Sequence, residues 1–333
     1  LAKRDIVVMG TSAGGMVALK HIVGQLPKEL SAAVFIVWHI SPASRSILSS
    51  ELSRVGNLPA TDAADGQEYE PGHIYVAPPD QHLLLEKNRI RLTRGPKENR
   101  FRPAIDPLFR SAALHFGPRV VGVVLTGSLD DGTAGLWAVK DRGGIAIVQD
   151  PGEAQYPSMP KSARQHVDVD YCVPLHEIAP LLSRLSKESA VSEALAPSNE
   201  LGVETEVALA ESPIRSGLME LGDLTPYTCP ECHGALIQLR TGGTLRFRCH
   251  TGHAYSIQSL LADLSDSVEN TLWSAVRAFE EGAFLMKHMS DHLKKMEKES
   301  AAGEFAGRAA EMLRRAEAIR KAAMRKVNLV EGD

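Results

Sequence analysis

The chain has 333 residues, of which 44% are hydrophobic and 23% charged, with a formal net charge of −4 and a pI near 6.3. That length allows one large domain with one or two small ones, and the composition is that of a soluble globular protein. The mildly acidic balance offers no electrostatic footprint for nucleic acid or a membrane surface, and no apolar run approaches the ~20 residues of a membrane span.

The opening LAKRDIVVMG enters a strand directly and lacks the apolar core of a secretory signal, so a cytoplasmic location is expected. The first ~185 residues alternate β-branched runs with amphipathic stretches, which predicts a doubly wound, mostly parallel α/β sheet with helices on both faces. Ile6–Met9 forms the first run. After the Gly-rich GTSAGG, the residues Val17, Leu19, Ile22, Val23 and Leu26 recur at helical spacing. AVFIVW, ending at Trp38, is the second strand, and HLLLEKNRIRLT reads as a hairpin closed at Lys87-Asn88. Val120–Leu125 leads through TGSLDDG into the helix GTAGLWAVKDRG. IAIVQ follows as a strand, and LHEIAPLLSRL closes the domain at about residue 185.

From 186 to 224 the composition turns to Ala, Ser, Glu and Pro, which predicts a mobile acidic linker with room for one short helix. A compact segment, 225–255, holds three of the four cysteines. Residues 256–330 are read as a helical hairpin. Leu260, Leu264, Val268, Leu272, Val276 and Phe279 form the stripe of its first helix, and Leu313, Ile319 and Val327 mark the second.

Gly10-Thr11-Ser12-Ala13-Gly14 fits G-x-S-x-G between a strand and a helix. Such a turn lifts a serine hydroxyl clear of the backbone at a helix N-terminus, where the next N–H, that of Ala13, can stabilise an oxyanion. Phosphate or dinucleotide binding competes for a Gly-rich first turn. Here Thr11-Ser12 stands where a dinucleotide fingerprint has its second glycine, and there is no Walker lysine. A nucleophilic serine needs a base and an orienting carboxylate. His39 follows the second strand, and Asp130 and Asp131 follow Val120–Leu125, all at carboxyl ends of strands where open α/β sheets place their sites. The order Ser, His, Asp, with the serine after the first strand, does not fit the ordinary α/β-hydrolase fold.

VVMGTSAGG, VWHISPASRSIL, IYVAPPDQHLLL, RFRPAIDPLFRSAA, VVLTGSLDDGTAGLWAV and YPSMPKSA together resemble the catalytic domain of chemotaxis-receptor protein-glutamate methylesterases (CheB-type) over about residues 4–185. The resemblance implies a Ser-His-Asp serine hydrolase that needs no cofactor for catalysis. It would remove methyl groups from glutamyl methyl esters on chemoreceptors, with deamidation of glutamine as a second activity. By the same resemblance Ser12 matches the nucleophile, His39 the base and Asp131 the orienting acid. A backbone N–H near Ser128 would complete the oxyanion hole with Ala13. Familiar members carry an N-terminal receiver domain that this sequence does not contain, which predicts a standalone form.

Cys229-Pro-Glu-Cys232 and Cys249-His-Thr-Gly-His253 form two short knuckles around a β-rich segment, a spacing that suits tetrahedral zinc. His253 is preferred as fourth ligand over His250 and His233, because adjacent Cys249 and His250 point apart in an extended knuckle. Three Cys and one His leave no open position, so the site is expected to be structural. Cys172 reads as a buried apolar residue. A catalytically idle scaffold binding protein partners through the ribbon and hairpin is the alternative to the esterase. On the esterase reading, residues 1–185 are expected to hold all the bond-breaking groups, and later residues to govern encounter or regulation.

Overall fold

The computed structural model describes residues 2–44, 46–190, 196–209, 213–240 and 243–325. They divide into two compact units, Leu1–Leu260 and Leu261–Gly332. The sequence boundaries expected at 185 and 224 do not coincide with a boundary between compact units.

In the first unit β1 (Ile6–Thr11), α1 (Gly15–Val23), β2 (Ala33–Trp38), α2 (Leu48–Val55), β3 (Ala60–Asp62) and β4 (Ile74–Val76) come first. The antiparallel hairpin β5 (His82–Leu85) and β6 (Ile90–Thr93) follows, turning where Lys87-Asn88 predicts. Then come α3 (Ile105–Phe116), β7 (Val120–Val124), α4 (Thr133–Asp141), β8 (Ile145–Gln149), α5 (Ser158–His166), β9 (Tyr171–Val173) and α6 (Leu175–Leu185). Seven strands form one parallel sheet in the order β3-β4-β2-β1-β7-β8-β9.

Strand alternation sends neighbouring side chains to opposite faces, and both are dry. Val7 and Met9 pack with Leu19, Ile22, Leu52, Ile178 and Leu182 from α1, α2 and α6. Ile6 and Val8 pack with Leu108, Phe109, Leu136 and Met159 from α3, α4 and α5. Burial on both faces explains why these strands read as continuous apolar runs. The order in which strands are added reverses at β1, which lies between β2 and β7, so their carboxyl ends open a crevice.

The stretch expected as a linker is not a solvated spacer in its described part. α7 (Asn199–Ala208) starts at Ser198, whose side chain accepts from the Leu201 N–H. Its Val203 and Val207 are buried with Leu218. A four-stranded antiparallel sheet follows, β10 (Gly222–Thr228), β11 (Ala235–Leu239), β12 (Arg246–Cys249) and β13 (Ala254–Ser256).

This ribbon belongs to the first unit because buried charges tie it there. Glu98 accepts from Arg110 at 2.7 Å and Arg248 at 3.0 Å, and Glu204 accepts from Arg246 at 2.9 Å and Arg248 at 2.8 Å. Arg246 also meets Glu200 at 3.0 Å. Three arginines thus face three glutamates, and removing one partner would strand a buried charge at about 3–5 kcal/mol.

α8 (Ile257–Lys295) starts in the first unit, and its remainder with α9 (Glu299–Ala323) makes the second. There Val276, Ala283 and Ser290 on one helix, and Ala302, Ala309, Ala316 and Ala323 on the other, are buried at seven-residue intervals. That spacing is a helix-pairing seam. Leu264, Val268 and Leu313 of the expected stripes are exposed, and Val327 lies outside the described residues. No helix among the described residues is long and apolar enough to cross a membrane.

Candidate active site

Ser12 directly follows β1 and sits in a turn that Gly14 closes at φ 76°, a conformation costly for other residues. The Ser12 N–H donates to the Thr126 carbonyl at 3.0 Å, and its own carbonyl accepts from the Trp38 indole at 2.9 Å and the Gly15 N–H at 3.0 Å. Gly127 comes so close that an added Cβ would lie 2.8 Å from the Ser12 Cβ and 2.1 Å from the Met159 sulfur. The Ala13 and Ser128 N–H groups have no protein acceptor among the described residues. Ser128 stands in a loop under backbone strain, since Leu129 is held at φ 63°.

His39 lies just beyond β2, its N–H donating to the Thr11 carbonyl at 3.1 Å. Its Nε2 is 2.7 Å from Asp131 Oδ2, and both side chains are only 2% exposed. The other nitrogen, Nδ1, is buried and has no hydrogen-bond partner among the described residues. Phe101 stacks on the ring, with centroids 3.8 Å apart and planes at 11°. His39 and Ser12 line one shallow groove with Ala13, Met16, Val17 and Trp38.

Asp131 is saturated with donors. Its Oδ2 also accepts from the Ile105 N–H at 2.7 Å, and its Oδ1 accepts from Asn99 at 2.9 Å and Gly132 N–H at 3.0 Å. Burial pushes this carboxyl up, but the His39, Ile105 and Asn99 donors together hold it below its ordinary value. Asp106, on α3, shows the opposite outcome. Burial and the adjacent Asp131 charge push it up to about 8, so of this carboxyl pair Asp131 carries the charge.

Asp130 makes no hydrogen bond with His39 among the described residues. Its Oδ1 accepts the Ser256 hydroxyl at 2.6 Å, and burial pushes it up to about 6 against that hydrogen bond. Ser256 and Ser259 lie at the end of β13 and in the first turn of α8, so residues far beyond 185 touch the loop carrying Asp131. The three triad candidates lie within 1–185, and Ser256 bonds their loop from beyond that boundary.

Cys229, Cys232, Cys249 and His253 converge, with all four ligand atoms within 4.8 Å of one another. Cys232 Sγ is 3.6 Å from Cys249 Sγ, and His253 Nδ1 is 3.5 Å from Cys249 Sγ and 3.7 Å from Cys229 Sγ. Metal–sulfur and metal–nitrogen bonds of ~2.3 and ~2.0 Å around a tetrahedral centre give edges of roughly 3.5–3.8 Å, so the group can hold a metal ion. His250 instead lies over Gly234, where an added Cβ would meet its ring at 2.2 Å, and His233 is exposed at φ 60°. Cys172 is exposed on β9, the edge strand, contrary to the expected burial.

Sequence reasoning gave no role to Asn99, Phe101, Asp106, Ser256 or Ser259. The signal available was local. Of these, Phe101 and Asp106 fall within RFRPAIDPLFRSAA, one of the family-like stretches, while Asn99 stands just before it at φ 48°.

A serine at a strand-to-helix turn, beside a buried imidazole–carboxylate pair at the switch point of the sheet, places the molecule among the α/β serine hydrolases. Residues 7–182 match the family model described as CheB methylesterase, and the chain belongs to that family. A relative from Leptospira interrogans, provisionally named a protein-glutamate methylesterase/protein-glutamine glutaminase, is 38% identical over 186 residues, covering 56% of this chain and 96% of the relative. The protein-glutamate methylesterase/protein-glutamine glutaminase of Pectobacterium atrosepticum is 33% identical over 196 residues, covering 57% of this chain and 56% of its own. The chain thus spans little more than half the length of that relative. The crystal structure of the Thermotoga maritima CheB methylesterase catalytic domain aligns in full with 56% of this chain, at 34% identity and a TM-score of 0.54.

Proposed function

We propose that the chain hydrolyses glutamyl methyl esters of a methylated chemoreceptor or related signalling protein, with Ser12 as nucleophile. The observation that carries this is the free, buried Nδ1 of His39, whose Nε2 is bonded to Asp131, in the groove that holds Ser12. His39 Nδ1 takes the Ser12 proton as Oγ bonds to the ester carbon, and the Asp131 charge stabilises the imidazolium. The Ala13 and Ser128 N–H groups are the donors offered to the oxyanion. The imidazolium then returns the proton to the departing methoxide, which leaves as methanol. Water attacks the acyl-enzyme with His39 again as base, giving the glutamate carboxylate and free Ser12. The same cycle on a glutamine side chain releases ammonia.

The groove wall supports a protein substrate, since Met16, Val17 and Trp38 present apolar surface beside Ser12, and Val17 is 69% exposed. At the ribbon the donor set favours zinc, held by Cys229, Cys232, Cys249 and His253. The ribbon core comprises little beyond Leu236, Phe247, Tyr255, Leu260 and the cysteines, so an ion bridging both knuckles would supply the cross-link that so small a core needs. Reduced thiolates at such a site suit a cytoplasmic setting. The test is methanol release from methylated receptor membranes by wild type and Ser12→Ala. Release that survives Ser12→Ala overturns the reading.

A further inference from the structure

Four residues, Glu98-Asn99-Arg100-Phe101, connect the ribbon to the catalytic pair. Glu98 and Phe101 exchange backbone hydrogen bonds of 3.2 and 2.9 Å across the turn. On the ribbon side, the Asn99 N–H donates to the Ala254 carbonyl at 2.8 Å and the Ala254 N–H donates to the Lys97 carbonyl at 3.2 Å. On the catalytic side, Phe101 lies on the His39 ring and Asn99 bonds Asp131.

The Asn99 side chain is buried and has a partner at each end. Its amide nitrogen donates to Asp131 Oδ1 at 2.9 Å and to Asp106 Oδ2 at 3.0 Å. Its oxygen accepts from the Ser256 N–H at 2.9 Å and the Ser259 hydroxyl at 3.1 Å. A flipped amide would turn its oxygen on two carboxyl groups and its N–H on the Ser256 N–H, so the orientation is determined by the surroundings. The Asn99 nitrogen thus points where it does because ribbon and α8 residues hold the oxygen.

We infer that Asn99 is a positioning residue for Asp131, and that Ser256 and Ser259 make the C-terminal ribbon part of the support of the triad. This rests on the esterase reading of Ser12, His39 and Asp131. Asn99 does not line the substrate groove, so its influence falls on kcat and leaves KM nearly unchanged.

The test uses the full chain, a small activated ester and five variants, with folding checked by circular dichroism and melting. Asn99→Asp keeps the shape, the backbone preference and the acceptor for Ser256 and Ser259, but replaces the two N–H donors to Asp131 and Asp106 by at most one acid proton beside the Asp131 charge. Asn99→Gly tolerates the positive φ and removes both ends, and it serves alone if the aspartate variant does not fold. Both should lose about 10- to 100-fold in kcat, the usual cost of removing a residue that orients a functional one. Ser259→Ala should lose about fivefold, as for one hydrogen bond. Because Ser259 acts through Asn99, Asn99→Gly/Ser259→Ala should be no worse than Asn99→Gly alone. Wild-type kcat in a folded Asn99 variant overturns the positioning role, and single effects that simply multiply in the double variant overturn the ribbon link. Full hydrolysis by Ser12→Ala would instead remove the esterase reading, and this inference with it.

Discussion

Asp130 and Asp131 are adjacent in the chain and serve opposite partners: Asp131 accepts from His39 Nε2 at 2.7 Å, while Asp130 accepts from the Ser256 hydroxyl at 2.6 Å. One loop therefore carries both the candidate catalytic acid and an anchor for the start of α8. Gly132, at φ 93°, lets the chain turn into α4 directly behind them.

This division separates the two carboxylates experimentally. Asp131→Asn should lower kcat by roughly 10⁴-fold, since an amide cannot stabilise the imidazolium, and Ser12→Ala by roughly 10⁶-fold. Asp130→Asn should retain most of the activity and lower the melting temperature instead. Steady-state kinetics with thermal melts of the three variants checks this. Loss of turnover in Asp130→Asn with Asp131→Asn near wild type would exchange the roles.

The purified chain should carry about one zinc per molecule, and Cys229→Ser, Cys249→Ser and His253→Ala should each release it. His250→Ala should keep its metal, because that ring lies over Gly234 rather than among the thiols. Elemental analysis after chelator-free purification reads this directly. Zinc lost from His250→Ala and kept in His253→Ala would reverse the choice of ligand.

Much of the site was legible because chemistry at a parallel sheet collects at strand ends. Ser12 follows β1, His39 follows β2 and Asp131 comes soon after β7, so three distant residues could be brought together by topology alone. The ribbon knuckles were legible because ligand spacing is local. The parts that escaped depend on partners far apart in sequence. Glu200 and Glu204 occupy one face of α7 at i, i+4, and Arg246 and Arg248 one face of β12 at i, i+2. Each spacing was visible, but nothing in the chain says that they meet, and an Ala-, Ser- and Glu-rich stretch reads as linker until they do. Asn99 escaped because GPKENRF reads as a polar loop. Its burial comes from Asp131 on one side and the ribbon on the other. Cys172 misled because a residue of an edge strand can face solvent while its neighbours do not.

The buried charge network makes the first unit sensitive to acid. Burial raises the Glu204 carboxyl, but Arg246, Arg248 and Arg110 outweigh it and hold the group well below its ordinary 4.5, and Glu98 is lowered likewise by Arg110 and Arg248. A carboxyl depressed in the folded state contributes stability that is present above its unfolded pKa and lost as pH falls through the folded value. The urea midpoint should therefore decline as pH drops below about 4.5. Asp106 acts in the other direction, because its folded value is raised to about 8; its contribution is full below 3.8 and is lost as pH rises toward 8. Stability should thus be greatest on the acid side of neutrality and above about pH 4.5. In a Trp273→Phe background the fluorescence of Trp38 and Trp137 reports the first unit alone. A midpoint unchanged from neutrality to pH 3 would mean that the network contributes nothing net.

The second unit should be limited by the size of its seam residues rather than by their hydrophobicity. Ala302, Ala309, Ala316 and Ala323 recur every seven residues on α9, and each is less than a tenth exposed. Small side chains at that period allow the two helices to approach closely, with Ser290 donating to the Ala302 carbonyl at 2.8 Å across the pair. Near the middle, an added Cβ on Gly282 would lie 3.0 Å from the Met312 sulfur, so the Met312 side chain of α9 reaches across to α8 there. Ala309→Leu adds apolar surface but has no cavity to enter, and should destabilise this unit by about 1–3 kcal/mol. The exposed Ala306→Leu on the same helix adds the same atoms without entering the seam and should change stability by less than about 0.5 kcal/mol. Thermal melts followed by helical circular dichroism compare the two, with fluorescence of Trp38 and Trp137 in the Trp273→Phe background confirming that the first unit is undisturbed. Equal effects from the two substitutions would show that α9 does not pair through this seam.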